Sequence, residues 1–362
     1  MRILAIDIGG GTQDILIFDT RQTIENCVQL IMPSPTSILA QKVRAATRAK
    51  RPIFFTGVNM GGGPSKRALG NHLKAGLKAY ATPEAAATFD DDIEEVAKWG
   101  VRIITEGEAP KGQGVEIIET RDLDMAAVEK ALTAFNVEPK FDAVAVAVLD
   151  HGAAPPGVSD RLFRFQHLEA TIRKGGSLFG FAYLAQEIPT HLTRMKAVAR
   201  SLGKDLPLLV MDTPVAAAIG AGEDMEVARH EHRLIVNAGN FHTLAFHLRG
   251  NSIIGLFEHH TGLLSKEKLD EMIARLIKGD LTSQEIYGDN GHGCIVIETS
   301  PSVPFLAVTG PRRQLMVGSE HNPYFAAPYG DMMLTGCFGL VRACAQRMEE
   351  WRDEIQKALE AS

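Results

Sequence analysis

Three successive glycines, Gly9-Gly10-Gly11, stand between two acids and a hydroxyl in LAIDIGGGTQDILIF (Leu4–Phe18). Apolar, β-prone runs on both sides of the glycines predict a hairpin. A glycine turn lets consecutive backbone N–H groups converge with no Cβ in the way, and such a concave nest takes phosphate oxygens. Gly9, Gly10, Gly11, Thr12, Gln13 and Asp14 are therefore candidate nucleotide contacts. Asp7, at the end of the first strand, is the candidate catalytic acid, holding Mg²⁺ through water. A plain hairpin would need the glycines but neither carboxylate. Two rival phosphate motifs are excluded. No G-x-x-x-x-G-K-[ST] occurs, and a strand follows the glycines where a dinucleotide fingerprint needs a helix.

The same pattern returns in altered form. LIVNAGNFHTLAFHL (Leu234–Leu248) can be laid over the first stretch, so that Asn237 falls on Asp7, Gly239 on Gly9 and His242 on Thr12. Two halves of one ancestry, each opening on a hairpin, would give this faint repeat. Asn237, Gly239, Asn240 and Thr243 are the candidate contacts of the second turn. Phe241 puts a bulky side chain where a backbone should approach phosphate.

Other polar groups gather at predicted strand ends. Gly61, Gly62, Gly63 and Lys66 lie between a strand and a helix, where free N–H groups and a cation can hold an anionic substrate group. A flexible loop with a proline-initiated helix is the plainer reading. Asp150 follows the run FDAVAVAVL (Phe141–Leu149) and is the candidate general base, with His151 as a substrate contact; an Asx turn is the alternative. Of twelve histidines, several crowd the second half, and Glu258-His259-His260 with His292-Gly293-Cys294 offers a transition-metal set, with His259 and His292 as ligands. Neighbours on a strand face opposite ways, so His259 and His260 can share one ion only within a turn.

These groups need a scaffold of strands alternating with helices. Helices are expected over Ser65–Tyr80, Pro83–Gly100 (with Asp90, Asp91 and Asp92 exposed), Leu123–Phe135, Phe163–Ile172, His191–Leu202, Val215–Gly222, Lys266–Lys278 and, as one long terminal helix, Gly336–Leu359. Phe141–Leu149 suits a strand buried on both faces. The alternation predicts an α/β fold. Its 362 residues allow two domains, and 45% hydrophobic with 23% charged residues is an ordinary globular mix. A net charge of −6 offers no general attraction to nucleic acid or anionic membrane. No apolar run approaches the roughly 20 residues that span a bilayer, and no leader is evident, so a cytoplasmic location is expected. The four cysteines, Cys27, Cys294, Cys337 and Cys344, form no C-x-x-C pair and are expected to be reduced.

AIDIGGGTQDILIF resembles the first phosphate motif of the actin, heat-shock-chaperone and sugar-kinase ATPase superfamily. DTPVAAAIGAG (Asp212–Gly222) resembles its first connecting helix, Asn237–Thr243 its second phosphate loop, LAVTGPRRQLM (Leu306–Met316) its adenosine loop, and GDMMLTGCFGLVRA (Gly330–Ala343) its second connecting helix. The resemblance implies a two-domain actin-like (ribonuclease H-like) fold with an interdomain nucleotide cleft. It divides the chain at 1–222, 223–335 and 336–362, the last segment packing at the junction. It implies ATP and Mg²⁺ as cofactors, and Gly310, Arg312 and Arg313 at the adenosine. TGVNMGGGP (Thr56–Pro64) and EHHTG (Glu258–Gly262) further resemble a prokaryotic family often labelled pyruvate formate-lyase activating enzymes. Radical activases of that type hold an iron–sulfur cluster on C-x-x-x-C-x-x-C, which this sequence lacks. The implied activity is a phosphotransferase or ATPase acting on a small molecule. The alternatives are a non-catalytic nucleotide switch for a protein client, and an ATP-driven activator of a radical or reductase enzyme sharing a cluster through Cys294. A homodimer is a candidate assembly.

Overall fold

The computed structural model describes residues 1–110, 114–299 and 302–361. The chain opens with β1 (Arg2–Ile8), β2 (Thr12–Asp19) and β3 (Val28–Pro33), an antiparallel meander. A separate four-stranded parallel sheet follows, made of β4 (Ile53–Gly57), β5 (Ala79–Ala81), β6 (Val101–Ile103) and β7 (Glu116–Thr120) in the order β6-β5-β4-β7. The chain then returns to the first sheet with β8 (Ala143–Val148), β9 (Ala182–Leu184) and β10 (Leu208–Met211), giving the order β3-β2-β1-β8-β10-β9.

The second half repeats this plan. β11 (His232–Ala238), β12 (His242–Arg249) and β13 (Ser252–His260) form the meander, β14 (Gly293–Val296) extends it, and β15 (Phe305–Thr309) and β16 (Tyr324–Phe325) complete the order β14-β13-β12-β11-β15-β16. In both sheets the first strand has an antiparallel partner on one side and two successive parallel strands on the other. In both, a helix follows the last of these parallel strands: Thr213–Ala221 after β10, Thr335–Arg347 after β16. This duplicated topology is the two-domain actin-like architecture that the resemblance implies.

Side-chain size places the junction helices. β8 reads AVAVAV and is wholly buried. Its alanines face the core that holds both junction helices, and its valines face an outer core with the helix Thr193–Leu202. Period-two alternation therefore gives the helices the thin side of the strand, where they can come close. The helices themselves cross on glycine. A Cβ at Gly220 would collide with the Thr335 carbonyl oxygen, and one at Gly339 with that of Ala216. The core around this crossing includes Ile3, Leu16 and Phe18 from the first half and Ile235, Leu244 and Phe246 from the second.

Three expected helices are shorter than their patterns. The helix from Gly63 ends at Lys74, near Gly76 at positive φ, and β5 takes up the following residues. Pro83–Gly100 is two pieces, Pro83–Ala86 and Ile93–Lys98, the second capped by Asp92 accepting from Glu94 N–H. The terminal helix breaks at Met348, whose backbone leaves the helical region, and resumes as Arg352–Glu360. Glu354 there binds the Met1 amino group (2.7 Å), which ties this end to the first sheet. Ser362, the end of the expected terminal segment, lies outside the described residues. Among those described, no helix is long and apolar enough to cross a membrane.

Candidate functional site

A cavity of about 880 Å³ lies between the halves, in the size range of small-ligand sites. Both hairpin turns line it, and so do Gly61–Gly63, Lys66, Asp150–Gly152 and Gly310. The two turns close identically: Gly9 N–H donates to the Thr12 carbonyl and Gly239 N–H to the His242 carbonyl, each at 2.9 Å. Alternation then decides which side chains enter the cleft. Thr12 and Asp14 point inward, while Gln13 faces away and donates to the Pro33 carbonyl (3.1 Å). His242 points inward, while Thr243 is buried on the other face against Thr261 (2.9 Å). Gln13 and Thr243 are thus removed from the predicted contacts, and the two-residue period is the reason.

Asp7 and Asp14 are directly opposed in the β1–β2 pair. Both are nearly buried, and each has one carboxylate oxygen without a hydrogen-bond partner among the described residues. Burial, then Asp14 and Asp212 nearby, raise the Asp7 pKa well above the usual carboxylate range. Burial is also the main cause that lifts Asp14 to about 7. Asp7 lies against the start of the helix Thr335–Arg347, where a Cβ at Gly336 would collide with its carboxylate. A helix N-terminus favours an anion there. Two orphaned carboxylate oxygens with no cation paired to them among the described residues fit a hydrated Mg²⁺, which binds through one or two carboxylates and its own waters.

The second turn is built differently. Asn237 replaces the first acid, and Leu244, in the core, stands where Asp14 stands. The Phe241 ring rests on Gly10 so closely that a Cβ there would collide with it, and the Asn240 amide lies 2.8 Å from the Cβ position of Gly11. The two turns therefore touch across the cleft.

Gly61 and Gly62 are glycines for packing: a Cβ at Gly61 would come within 2.7 Å of the Arg194 guanidinium, and one at Gly62 would collide with the Thr88 carbonyl. Lys66 lies over the Trp99 ring (4.6 Å) and pairs with Asp90 (3.2 Å). Asp150 is buried, and its oxygens accept from Gly152 N–H (2.8 Å) and Met195 N–H (2.9 Å). It shapes the loop that carries His151, the Asx-turn role. Asp91, which no spacing singled out, lines the cleft with its side chain still open to solvent; partial desolvation at the cleft wall, followed by Asp160, Asp150 and Asp90, raises it to about 6. In the loop after β15, Gly310 adopts φ +98° and lies against Asn237 and Ala238, a fit only glycine makes. Pro311 lines the cleft, but Arg312 and Arg313 do not; the chain winds there into a turn whose Met316 is anchored in the core. That is a correction to their predicted role.

The histidines also regroup. His259 turns to the far face of β13, where it meets Asp289 (3.0 Å) and leaves the proposed pair with His292. On the near face His151, His242 and His292 come together, one ring nitrogen of each within 4.8 Å of those of the others, with the His260 ring 4.8 Å from that of His292. Burial, followed by neighbouring charges, pushes His292 down to about 3 and His260 to about 4, and holds His151 well below its ordinary value. Glu258, fully buried behind them, accepts from His242 Nδ1 (2.9 Å) and from Arg164 Nε (2.8 Å). Arg164 also makes two bonds to Asp212 (2.8 and 3.0 Å). Burial opposes ionised Glu258, but Arg164 and the imidazoles outweigh it and hold its pKa well below normal. Cys294 is buried in another core with its Sγ on the Leu281 carbonyl, and burial lifts its pKa to about 12; it offers no thiolate for a shared cluster.

No curated protein matches the chain. Three solved structures align along nearly all of it. One is the activator of the 2-hydroxyisocaproyl-CoA dehydratase from Clostridium difficile with bound ADPNP (10% identity, 98% of each chain, TM-score 0.35). The second is the ethanolamine utilization protein EutJ from Carboxydothermus hydrogenoformans (12%, 94% of this chain and 89% of that one, 0.34). The third is the ROK hexokinase from Thermus thermophilus (11%, 97% and 100%, 0.31). These scores are low, and the fold assignment rests on the duplicated sheets themselves. The family model described as "Putative pyruvate format-lyase activating enzyme (DUF1786)" matches residues 60–315, more than half of the sequence, and the chain belongs to that family.

Proposed function

We propose that the cleft binds Mg²⁺–ATP and that the chain transfers the terminal phosphoryl group to a small molecule or to water. One observation carries this reading: an uncompensated acid pair, Asp7 and Asp14, beside a glycine turn in an interdomain cavity of about 880 Å³. Asp7 and Asp14 hold the hydrated ion, which when bound neutralises phosphate charge. The N–H groups of the Gly9–Thr12 turn donate to phosphate oxygens, and Gly310 offers a flat backbone surface to the base. Gly61–Gly63 and Lys66 face the acceptor. Asp91, with a pKa near 6, is ionised at neutral pH and suits proton abstraction from an acceptor hydroxyl better than Asp150, whose oxygens serve the backbone. Phosphoryl transfer needs positioning and charge neutralisation above all, and a cleft between two domains supplies both.

A second reading, a nucleotide switch without turnover, is favoured by the Phe241 ring on Gly10 and by the lack of acids in the second turn. Calorimetry with Mg²⁺–ATP together with an ADP-release assay separates the two. Phosphotransfer predicts binding plus turnover that falls about 100-fold or more in Asp7→Asn. Tight binding without turnover supports the switch. Absence of binding by the wild type would refute both. Radical activation is not proposed, because the four cysteines are isolated and buried.

A further inference from the structure

We infer that His151, His242 and His292 form a site for a divalent transition-metal ion of the zinc class, at the seam between the halves and separate from the magnesium position at Asp7 and Asp14. The inference stands on residues the nucleotide reading does not use.

The geometry comes from three separate chain segments. His242 opens β12, His292 immediately precedes β14, and His151 reaches in from the loop after β8 in the other half. His292 N–H donates to the Glu258 carbonyl (2.9 Å), which fixes its backbone beside β13. Its ring is fully buried, yet neither ring nitrogen has a partner among the described residues. An imidazole stranded in this way costs free energy unless a ligand satisfies it. Its neighbours are two further imidazoles, with nitrogens within 4.8 Å. A tetrahedral ion holds imidazole nitrogens at 2.0–2.1 Å and so about 3.4 Å apart. Rotations moving each ring tip by about an ångström close the set.

The surroundings are those of a metal ligand shell. Glu258 accepts from His242 Nδ1, which leaves Nε2 with its lone pair toward the cluster. A carboxylate behind a ligating histidine sets its tautomer and orientation in this way. Two cations stand nearby: Arg161 donates to the Gly291 carbonyl (2.6 Å), and Arg164 is engaged by Glu258 and Asp212, which together carry two negative charges against its one. Asp150 fixes the loop that presents His151. Three imidazoles favour zinc, iron, cobalt or nickel over Mg²⁺, which prefers oxygen. Three protein ligands also leave a coordination position open, and His151 and His242 both line the cleft. An ion held by neutral ligands keeps its full charge, so the open position takes an oxyanion such as a phosphate or carboxylate group.

The test uses the full chain, stripped with chelator and titrated with Co²⁺ without nucleotide, followed by visible d–d absorption and by metal analysis after dialysis. One equivalent of Co²⁺ with a four- or five-coordinate spectrum, displaced by one equivalent of Zn²⁺, is expected. His242→Ala and His151→Asn should each weaken Co²⁺ binding more than about 100-fold, while His230→Ala should not. Circular dichroism in chelator checks that each variant folds, and His151, on a loop, is the milder change. Failure to bind one equivalent, or undiminished affinity in folded His242→Ala and His151→Asn, overturns the site. Neither outcome bears on nucleotide binding.

Discussion

The two hairpins share a backbone and differ in charge. Both close with the same 2.9 Å bond from glycine to the residue three positions on, and both direct alternate positions into the cleft. In the first, those positions hold Asp7, Thr12 and Asp14, with no cation paired to the acids among the described residues. In the second, Asn237 and His242 reach the cleft while Leu244, at the position of Asp14, turns into the core, and the charge lies one strand away in Glu258, balanced by Arg164. One duplicated frame thus carries a site for a hard cation on one side and an imidazole cluster on the other. A hairpin turn specifies where side chains point, and the side chains alone specify which ion they suit.

The largest expected effect comes from making the second side resemble the first. Arg164→Met removes the guanidinium that pairs with both Asp212 and Glu258, all three being buried. Breaking a buried pair from one side costs about 3–5 kcal/mol. Urea denaturation should report a loss of that size, and Arg164→Met with Glu258→Gln should recover part of it. A loss below about 1 kcal/mol would mean that these acids are not charged and buried together, and the contrast between the hairpins would fail.

Much of this contrast was legible in the sequence, because a hairpin's chemistry is local. Residues 4–18 place acids, glycines and a hydroxyl within one turn, and the continuous apolar run Phe141–Leu149 announces a strand buried on both faces. The imidazole cluster was not legible. Its members lie in three distant segments, and only the pairing of β12, β13 and β14 and the seam between halves bring them together. His259 was the wrong partner for His292 because strand period turns it to the outer face, a signal the sequence did contain. Asp150 and Asp91 show the other limit. Both are acids in polar loops, and only the backbone bonds of one and the crowded carboxylates around the other separate a structural acid from a titrating one.

The first hairpin can be sharpened by removing its strain. Asp14 has a pKa near 7 in the fold against an ordinary 3.8. The fold thus prefers the protonated form, and the nucleotide-free protein loses stability as pH rises from about 4 to about 7. Asp14→Asn imitates the neutral acid. It should stabilise the nucleotide-free protein by up to about 4 kcal/mol above pH 7, with the gain shrinking toward zero near pH 4. Thermal melts at several pH values read this directly. A pH-independent gain would assign the effect to packing and remove the case for an uncompensated acid pair.

The smallest effect concerns the contact between the turns. The Phe241 ring sits on Gly10, on the surface that the nest N–H groups would offer to phosphate. If nucleotide binds there, the ring must move aside, and part of the binding free energy goes to displacing it. Phe241→Ala should then tighten Mg²⁺–ATP binding by about three- to tenfold, roughly 1 kcal/mol, in calorimetry. Turnover per bound nucleotide should stay within about twofold, because the acids of the first turn are untouched. Weaker binding in Phe241→Ala would reverse the assignment: the ring would then be a contact surface for the ligand, and the second hairpin a reader of the nucleotide in its own right.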